Sequence, residues 1–187
     1  MPLILVRHTR PLGGAGVCYG RSDVPLAEDF EAATESLLGS LPRIAAVVSS
    51  PRVRCRHLAE RIAADRQLVL KVDGRIAEMD FGAWEGRRWT ELPRGEIDAW
   101  AADFHGARPH GGESVAMLVE RVAAALAETA AGAPPVLWVT HLGVVRAARA
   151  LRGQAEPWES RLGFGEWTRL PERFSGDRAR SAPSRDR

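Results

Sequence analysis

The sequence predicts an α/β protein, a three-layer α/β/α sandwich with helices on both faces of a mostly parallel sheet. Short apolar runs of strand character alternate with longer segments whose apolar residues recur at helical spacing. The strand runs are apolar at successive positions, which is typical of strands buried on both faces. The chain has 187 residues, of which 45% are hydrophobic, enough for one core. We therefore expect one main domain over residues 1–170.

Five runs of strand character predict the strands. They lie at residues 3–6, 44–48, 69–72 and 136–139, with a weaker run at 164–170. Four segments between the strands predict helices, of which the first covers residues 30–41 and the fourth covers residues 143–151. The apolar stripes of the second and third helices are Val53, Leu58 and Ile62, and Val115, Leu118, Val119, Val122 and Leu126.

Two segments interrupt this alternation. Residues 9–25 form a loop longer than a compact domain usually contains, and residues 81–112 are rich in Gly, Pro and Arg. The second segment also carries the large aromatic residues Trp84, Trp89, Trp100 and Phe104. Such segments often form lids or substrate walls, so we interpret residues 81–112 as an insertion or lid. The alternative is that these aromatic side chains cap the edge of the sheet.

Charge and apolar patterning disfavour several classes of protein. The chain has 26 basic and 24 acidic residues, and residues 171–187 alone hold 5 Arg and 3 acidic residues. The remainder is neutral, which disfavours a nucleic-acid partner, and the Arg-, Pro- and Ser-rich tail is expected to be disordered. No apolar run approaches the roughly 20 residues of a membrane span, and Arg7 comes too early for a signal peptide. We expect a cytoplasmic protein with no membrane partner.

The cysteines do not indicate a structural metal or a disulfide framework. Cys18 and Cys55 are the two cysteines, and neither lies in a zinc-binding spacing. Both are expected to be small buried residues.

Ionisable residues follow three of the predicted strands directly. Arg7 and His8 end the first strand, a pair of serines ends the second, and His141 follows the run at 136–139. The carboxyl ends of strands in open α/β sheets form the ligand-binding edge. We therefore expect Arg7, His8 and His141 to converge there, although they are distant in sequence.

The start of the second helix suggests an anion site. Ser50 and Pro51 are good N-cap and first-turn residues, so the helix is predicted to begin there. Arg52 and Arg54 then fall in the first turn, where the helix dipole disfavours cations. A bound phosphate would remove that conflict, since it accepts hydrogen bonds from amides and guanidinium groups together. The alternative is that both side chains extend into water.

Glu78 is the candidate proton donor. It follows the strand predicted at 69–72, and a partly desolvated carboxyl at the same edge could protonate the leaving oxygen of a phosphate ester. Asp80, Glu85 and Glu91 are nearby competitors for this role.

These motifs together resemble the histidine phosphatase superfamily, which has the phosphoglycerate mutase-like fold. The Leu-Val-Arg-His-Thr run at 5–9 resembles its Arg-His-Gly signature, and residues 49–55 resemble its second arginine motif. Residues 78–86 resemble its acid-residue motif, 111–114 the start of its long helix, and 139–141 its second histidine. The matches occur in order and span residues 3–170.

The resemblance implies a role for each of five residues. His8 would be the nucleophile that takes the phosphoryl group, Glu78 the proton donor, and Arg7, Arg54 and His141 the groups that hold the phosphate oxygens. Water would then hydrolyse phospho-His8. The resemblance implies a small phosphorylated metabolite as the substrate, with no metal and no cofactor.

The motif wording is most similar to the α-ribazole phosphatase type, which removes phosphate from a precursor of the cobalamin lower ligand. Residues 18–26, 81–86 and 165–170 carry this likeness. The chain departs from the family pattern after His8, where Thr9 replaces the usual Gly and an Asn that helps hold phosphate is missing. We expect Tyr19, Gly20 or Arg21 of the same loop to compensate. Thr9 is compatible with catalysis only at a negative φ, since a β-branched residue resists the left-handed region.

Three functions therefore stay open. The first is a phosphomonoesterase for α-ribazole 5′-phosphate in cobalamin biosynthesis. The second is a phosphatase or mutase for another small phosphorylated metabolite or for phosphohistidine on a protein. The third is a phosphate-binding module that has lost turnover.

Three histidines lie outside these motifs. His57 is expected to be a surface or packing residue on the second helix. His105 and His110 lie in the aromatic-rich segment, where they are either substrate contacts or solvated loop residues.

Overall fold

In the described part of the chain the sheet has five strands, and the first four in chain order run parallel. The computed structural model describes residues 3–129 and 135–171, so the predicted tail after residue 171 lies outside the described residues. The strands are β1 (Leu3–Arg7), β2 (Ala46–Ser49), β3 (Leu70–Val72), β4 (Val136–Thr140) and β5 (Trp167–Leu170). Their order across the sheet is β3-β2-β4-β1-β5, with β5 antiparallel to β1. The predicted fold class is confirmed.

Helices cover both faces of this sheet. Successive side chains of a strand point to opposite faces, and here both sets are apolar, so both faces must be covered. Leu3 and Leu5 of β1 pack in one core cluster, with residues of the two helices on that face. Ile4 and Val6 pack in the other, on the opposite face. The helices in the described part of the chain are α1 (Phe30–Ser40), α2 (Val53–Arg66), α3 (Arg94–Ala102), α4 (Val115–Thr129) and α5 (Leu142–Leu151). Helices α1 and α2 cover the Ile4 face, and α4 and α5 cover the Leu3 face.

Helix α2 begins later than the sequence predicted. Its N-cap is Arg52 and its first residue is Val53, which is exposed rather than part of the buried stripe. The predicted start at Ser50 and Pro51 is wrong because another residue caps the helix. The amide of Val53 donates to Asp23 Oδ1, 2.9 Å away, which belongs to the long loop after β1. Ser50 lies before the helix, where its Oγ accepts a hydrogen bond from the amide of Arg52 at 3.3 Å.

Helix α3 was not predicted. It lies inside the segment 81–112, which also contains two short 3₁₀ turns, and none of its residues is fully buried. A helix without a buried stripe has little hydrophobic periodicity to reveal it. One attachment is polar, since the Trp84 indole N–H donates to Glu96 Oε2 at 2.6 Å.

The order of the strands brings the predicted site together. Strand β4 lies between β1 and β2, so the three carboxyl ends adjoin at one edge. The pairing continues one residue beyond each strand: the amide of His8 donates to Thr140 O, and the amide of Ser50 donates to Val139 O, both at 3.0 Å. Among residues 3–129 and 135–171, no helix combines the length and apolar character that crossing a bilayer requires.

Candidate active site

His8 is held as a neutral imidazole with its proton on one known nitrogen. Its Nδ1 lies 2.7 Å from the carbonyl of Thr9, which can only accept, so Nδ1 carries the proton. Its Nε2 accepts a hydrogen bond from Arg54 Nε at 3.3 Å. Burial, and next the charge of Arg54, lower the pKa of His8 to about 3. The lone pair on Nε2 is therefore available near neutral pH.

His141 lies beside His8, with the two ring centroids 5.2 Å apart. The guanidinium of Arg54 lies 3.3 Å from Nδ1 of His141, so that nitrogen accepts and Nε2 carries the proton. Nε2 then donates to Ser50 Oγ at 2.7 Å. Complete burial and the adjacent Arg54 charge lower the pKa of His141 well below its ordinary value. Both histidines of the pair are thus uncharged in the folded protein.

Arg54 is fully buried and binds the loop after β1 through backbone carbonyls. Its Nη1 donates to the carbonyl of Ser22 and its Nη2 to that of Gly20, both at 2.7 Å. No carboxylate pairs with Arg54 in the described part of the chain. A buried cation whose neighbours are neutral histidines and carbonyls favours an anionic ligand.

Arg7 brings a second cation to the same place. Its Nη1 donates to the carbonyl of Leu162 at 2.8 Å, and its guanidinium carbon lies 3.7 Å from the centre of the Phe164 ring. Burial lowers the pKa of Arg7, although the group remains a strong base. The two guanidinium groups and the His8 ring line one cavity.

Glu78 lines this cavity as well, held by two backbone amides. Met79 N donates to Oε1 and Gly143 N donates to Oε2, each at 3.1 Å. A Cβ at Gly143 would lie 2.2 Å from Glu78 Oε1, so glycine is required for this approach. The sequence contains a signal for this contact, the glycine two residues after His141, but it does not show that Glu78 is the residue in contact.

The three competitors of Glu78 have other contacts and do not line the cavity. Glu85 accepts hydrogen bonds from the amides of residues 20–22 and Phe81 and from the hydroxyl of Ser22. Burial alone would raise the pKa of Glu85, but these hydrogen bonds outweigh it and the pKa is lowered. Asp80 accepts from Gly82 N and Arg21, and Glu91 is exposed.

Aromatic side chains form much of the wall of the cavity that Arg7, His8 and Arg54 also line. The cavity encloses about 430 Å³. Its aromatic lining consists of Tyr19, Phe81, Trp89, Trp100, Phe104, Trp158 and Phe164. Trp84 differs from the other aromatic residues of segment 81–112, because it is fully buried outside the lining. The segment therefore supplies cavity wall through four of its five large aromatic side chains.

Of the three residues expected to compensate for the missing Asn, one lines the cavity and two do not. Tyr19 lines the cavity, and the Arg54 guanidinium carbon lies 5.1 Å from its ring centre. Gly20 and Arg21 are not part of the lining. A Cβ at Gly20 would lie 1.8 Å from the carbonyl of Met79, so the glycine is required by packing. Arg21 is exposed, where its side chain contacts Asp80.

Thr9 satisfies the condition set by its branched side chain. Among the described residues, a positive φ at a non-glycine position occurs at Gln67 and Glu156 and not at Thr9. Thr9 is buried, and its hydroxyl has no hydrogen-bond partner in the described structure.

The remaining histidines and the cysteines are not part of the cavity lining, and neither is His141, which is fully buried behind it. His57 is exposed near the Phe30 ring, as expected. His105 is exposed and His110 is buried against Trp84, so neither is placed as a substrate contact. Both cysteines are buried, as expected, and burial raises the pKa of Cys18 to about 12.

Sequence reasoning missed Arg146, a third arginine of the cavity. It lies on α5, and its Nε donates to the carbonyl of Ser160 at 3.1 Å. Nothing in its local sequence separates it from the many other arginines of the chain. No group of three or more potential metal ligands occurs among residues 3–129 and 135–171.

Comparison with known proteins shows the family of the chain. The family model of the histidine phosphatase superfamily (branch 1) matches residues 3–176. The chain is 30% identical over 182 residues to the adenosylcobalamin/alpha-ribazole phosphatase of Escherichia coli K12, covering 91% of this chain and 89% of that protein. It is also 30% identical over 190 residues to glucosyl-3-phosphoglycerate phosphatase of Mycobacterium tuberculosis, covering 90% and 84%. A crystal structure of a putative alpha-ribazole-5′-P phosphatase from E. coli superposes with a TM-score of 0.81 at 27% identity, covering 90% of this chain and 89% of that one.

Proposed function

The chain belongs to the histidine phosphatase superfamily, and from that premise we propose that it hydrolyses α-ribazole 5′-phosphate through a phosphohistidine on His8. The observation that carries the reaction is the state of His8, a neutral ring with its lone pair on Nε2 beside two cationic arginines. The name of the E. coli relative supports the substrate.

In the first step, Nε2 of His8 attacks phosphorus and the bond from phosphorus to the ester oxygen breaks. Glu78 gives its proton to the departing oxygen, which leaves as an alcohol. Arg7 and Arg54 stabilise the charge on the phosphoryl oxygens, because the fold holds both guanidinium groups in place before substrate binds. In the absence of substrate, Nε2 of His8 accepts a hydrogen bond from Arg54. When the ester binds, its phosphate accepts this hydrogen bond instead.

In the second step, water attacks phosphorus and the bond to Nε2 breaks. Glu78, now a carboxylate, accepts a proton from this water, and inorganic phosphate leaves. The hydrogen bond from Nδ1 to Thr9 O keeps the ring oriented through both steps. His141 donates to Ser50 and so keeps its own Nδ1 turned towards Arg54.

The aromatic wall favours a leaving group with a flat apolar ring. Most of its members belong to segment 81–112, which we propose forms the wall against which the base of α-ribazole stacks. A cavity of about 430 Å³ is in the range of small-molecule sites.

Arg146 favours a second candidate, a phosphatase for a metabolite whose leaving group carries its own anion. The guanidinium lies in the cavity lining near Glu78, and among the described contacts it has one hydrogen bond to a carbonyl. The glucosyl-3-phosphoglycerate phosphatase relative fits this alternative by name.

The test is hydrolysis of α-ribazole 5′-phosphate, 3-phosphoglycerate and an activated aryl phosphate by the purified protein and by His8→Ala. We expect phosphate release from α-ribazole 5′-phosphate at the highest kcat/KM and none from His8→Ala. Preference for 3-phosphoglycerate, lost in Arg146→Met, would favour the second candidate. Phosphate binding without cleavage of any ester would reject both in favour of a binding module.

A further inference from the structure

Arg121 binds the carbonyl of Glu78 and two carbonyls that precede it in the chain. It lies on α4, and its Nη1 donates to the carbonyls of Ala77 and Arg75 at 2.7 and 2.8 Å. Its Nη2 donates to the carbonyl of Glu78 itself at 3.0 Å. One guanidinium group thus donates hydrogen bonds to three backbone carbonyls within four consecutive residues.

Glu113 fixes the orientation of this guanidinium. Its Oε1 accepts from Arg121 Nε at 2.6 Å and its Oε2 from Nη2 at 2.8 Å, a two-point contact that restricts rotation. Its backbone amide donates to the carbonyl of Asp80 at 2.8 Å, so it is tied to the same chain segment. The side chains of Arg121 and Glu113 are 19% and 15% exposed, which limits competition from water.

The carboxyl of Glu78 has few contacts of its own. Two backbone amides hold it, and its proton must reach the leaving oxygen within hydrogen-bond distance. A displacement of about 1 Å in a reacting group can cost about 100-fold in rate. The position of this carboxyl therefore depends on the position of the backbone that carries it.

We propose that Arg121, oriented by Glu113, is a positioning residue that holds Glu78 in place for proton transfer to the leaving group. This inference rests on the proposed function, in which Glu78 is the proton donor. Lysine cannot replace the arginine, because a single ammonium cannot span three carbonyls and a carboxylate.

A substrate whose leaving group needs a proton can be compared with one whose leaving group does not. This comparison distinguishes the positioning role from a general loss of stability. Dinitrophenolate departs from phosphorus without a proton, whereas benzyl alcohol requires one. In Arg121→Lys, we expect kcat/KM for benzyl phosphate, which reports departure of the leaving group and not hydrolysis of phospho-His8, to fall at least about tenfold more than kcat/KM for 2,4-dinitrophenyl phosphate. Glu113→Gln should show the same selective loss to a smaller degree.

Glu128→Gln is the matched control. Glu128 also joins α4 to the turn before Glu78, accepting from both Nη atoms of Arg75 at 2.6 Å, but it does not contact the carbonyls around Glu78. This variant should keep the wild-type ratio between the two substrates. Equal losses on both substrates in Arg121→Lys, or no loss, would overturn the inference. If Arg121→Lys does not fold, the ratio in Glu113→Gln decides in the same way.

Failure of the proposed function would look different. Glu78→Gln should itself slow benzyl phosphate selectively. If Glu78→Gln loses both substrates equally, or if the wild-type protein cleaves neither ester, then the assignment of Glu78 and the phosphatase mechanism fail. A selective loss in Glu78→Gln with unchanged ratios in the Arg121 and Glu113 variants overturns the positioning role alone.

Discussion

Mild acid should destabilise the folded protein through the uncharged histidine pair. His8 is 3% exposed and His141 is fully buried, and burial lowers the pKa of both. The unfolded chain binds a proton at each of them below about pH 6.5. The folded protein binds one at His8 only near its pKa of about 3, and the pKa of His141 is also lowered well below its ordinary value. The folded state therefore loses stability as pH falls through this window.

The size of the effect follows from the pKa of His8. Each pH unit inside the window costs about 1.4 kcal/mol per histidine, so lowering the pH from 6.5 to 5 costs about 2 kcal/mol for His8 alone. His141 acts in the same direction. The assay is urea unfolding followed by tryptophan fluorescence at pH 7.5 and pH 5, in buffer without phosphate, because a bound anion would stabilise the folded state.

Between pH 7.5 and pH 5, the unfolding free energy of His8→Gln should fall by about 2 kcal/mol less than that of the wild-type protein. His57→Gln is the control, since His57 is exposed and lies outside the cavity lining. The reasoning is refuted if His8→Gln and His57→Gln show the same change of stability between the two pH values.

Three further substitutions test other contacts. Gly143→Ala places a methyl group 2.2 Å from Glu78 Oε1 and should reduce kcat/KM for benzyl phosphate about 100-fold with a smaller effect on kcat/KM for 2,4-dinitrophenyl phosphate; retention of the wild-type ratio would contradict the close approach. Glu85→Gln leaves several amide donors with a poorer acceptor, so urea unfolding should show a loss of about 1–3 kcal/mol, whereas Glu60→Gln on the exposed face of α2 should be nearly neutral. Thr9→Val removes a buried hydroxyl without a partner, so the unfolding free energy should rise by about 1 kcal/mol, and a loss of stability would mean that the hydroxyl is satisfied in solution.

Local sequence patterns were sufficient for the fold and for the location of the site. The apolar runs identify the strands because a parallel sheet buries both faces of each strand, and their ends identify the edge where ligands bind. His8 and His141 could be expected to meet for this reason, although 133 positions separate them in the chain. Helix α3 escaped prediction because it has no buried stripe, and the start of α2 was misplaced because Asp23, 30 residues away, caps it.

The chemistry of each side chain was decided by tertiary contacts. The sequence alone identified His8 as a candidate nucleophile, but the carbonyl of Thr9 determines which nitrogen carries the proton and Arg54 determines where the other nitrogen points. The sequence by itself determined which residue types lie at the ends of the strands, because the local apolar pattern is enough to show where a strand ends. Only the tertiary structure decided which of the acids faces the cavity and which anchors a loop, because hydrogen-bond partners such as Gly20 and Glu85 come from segments distant in the chain.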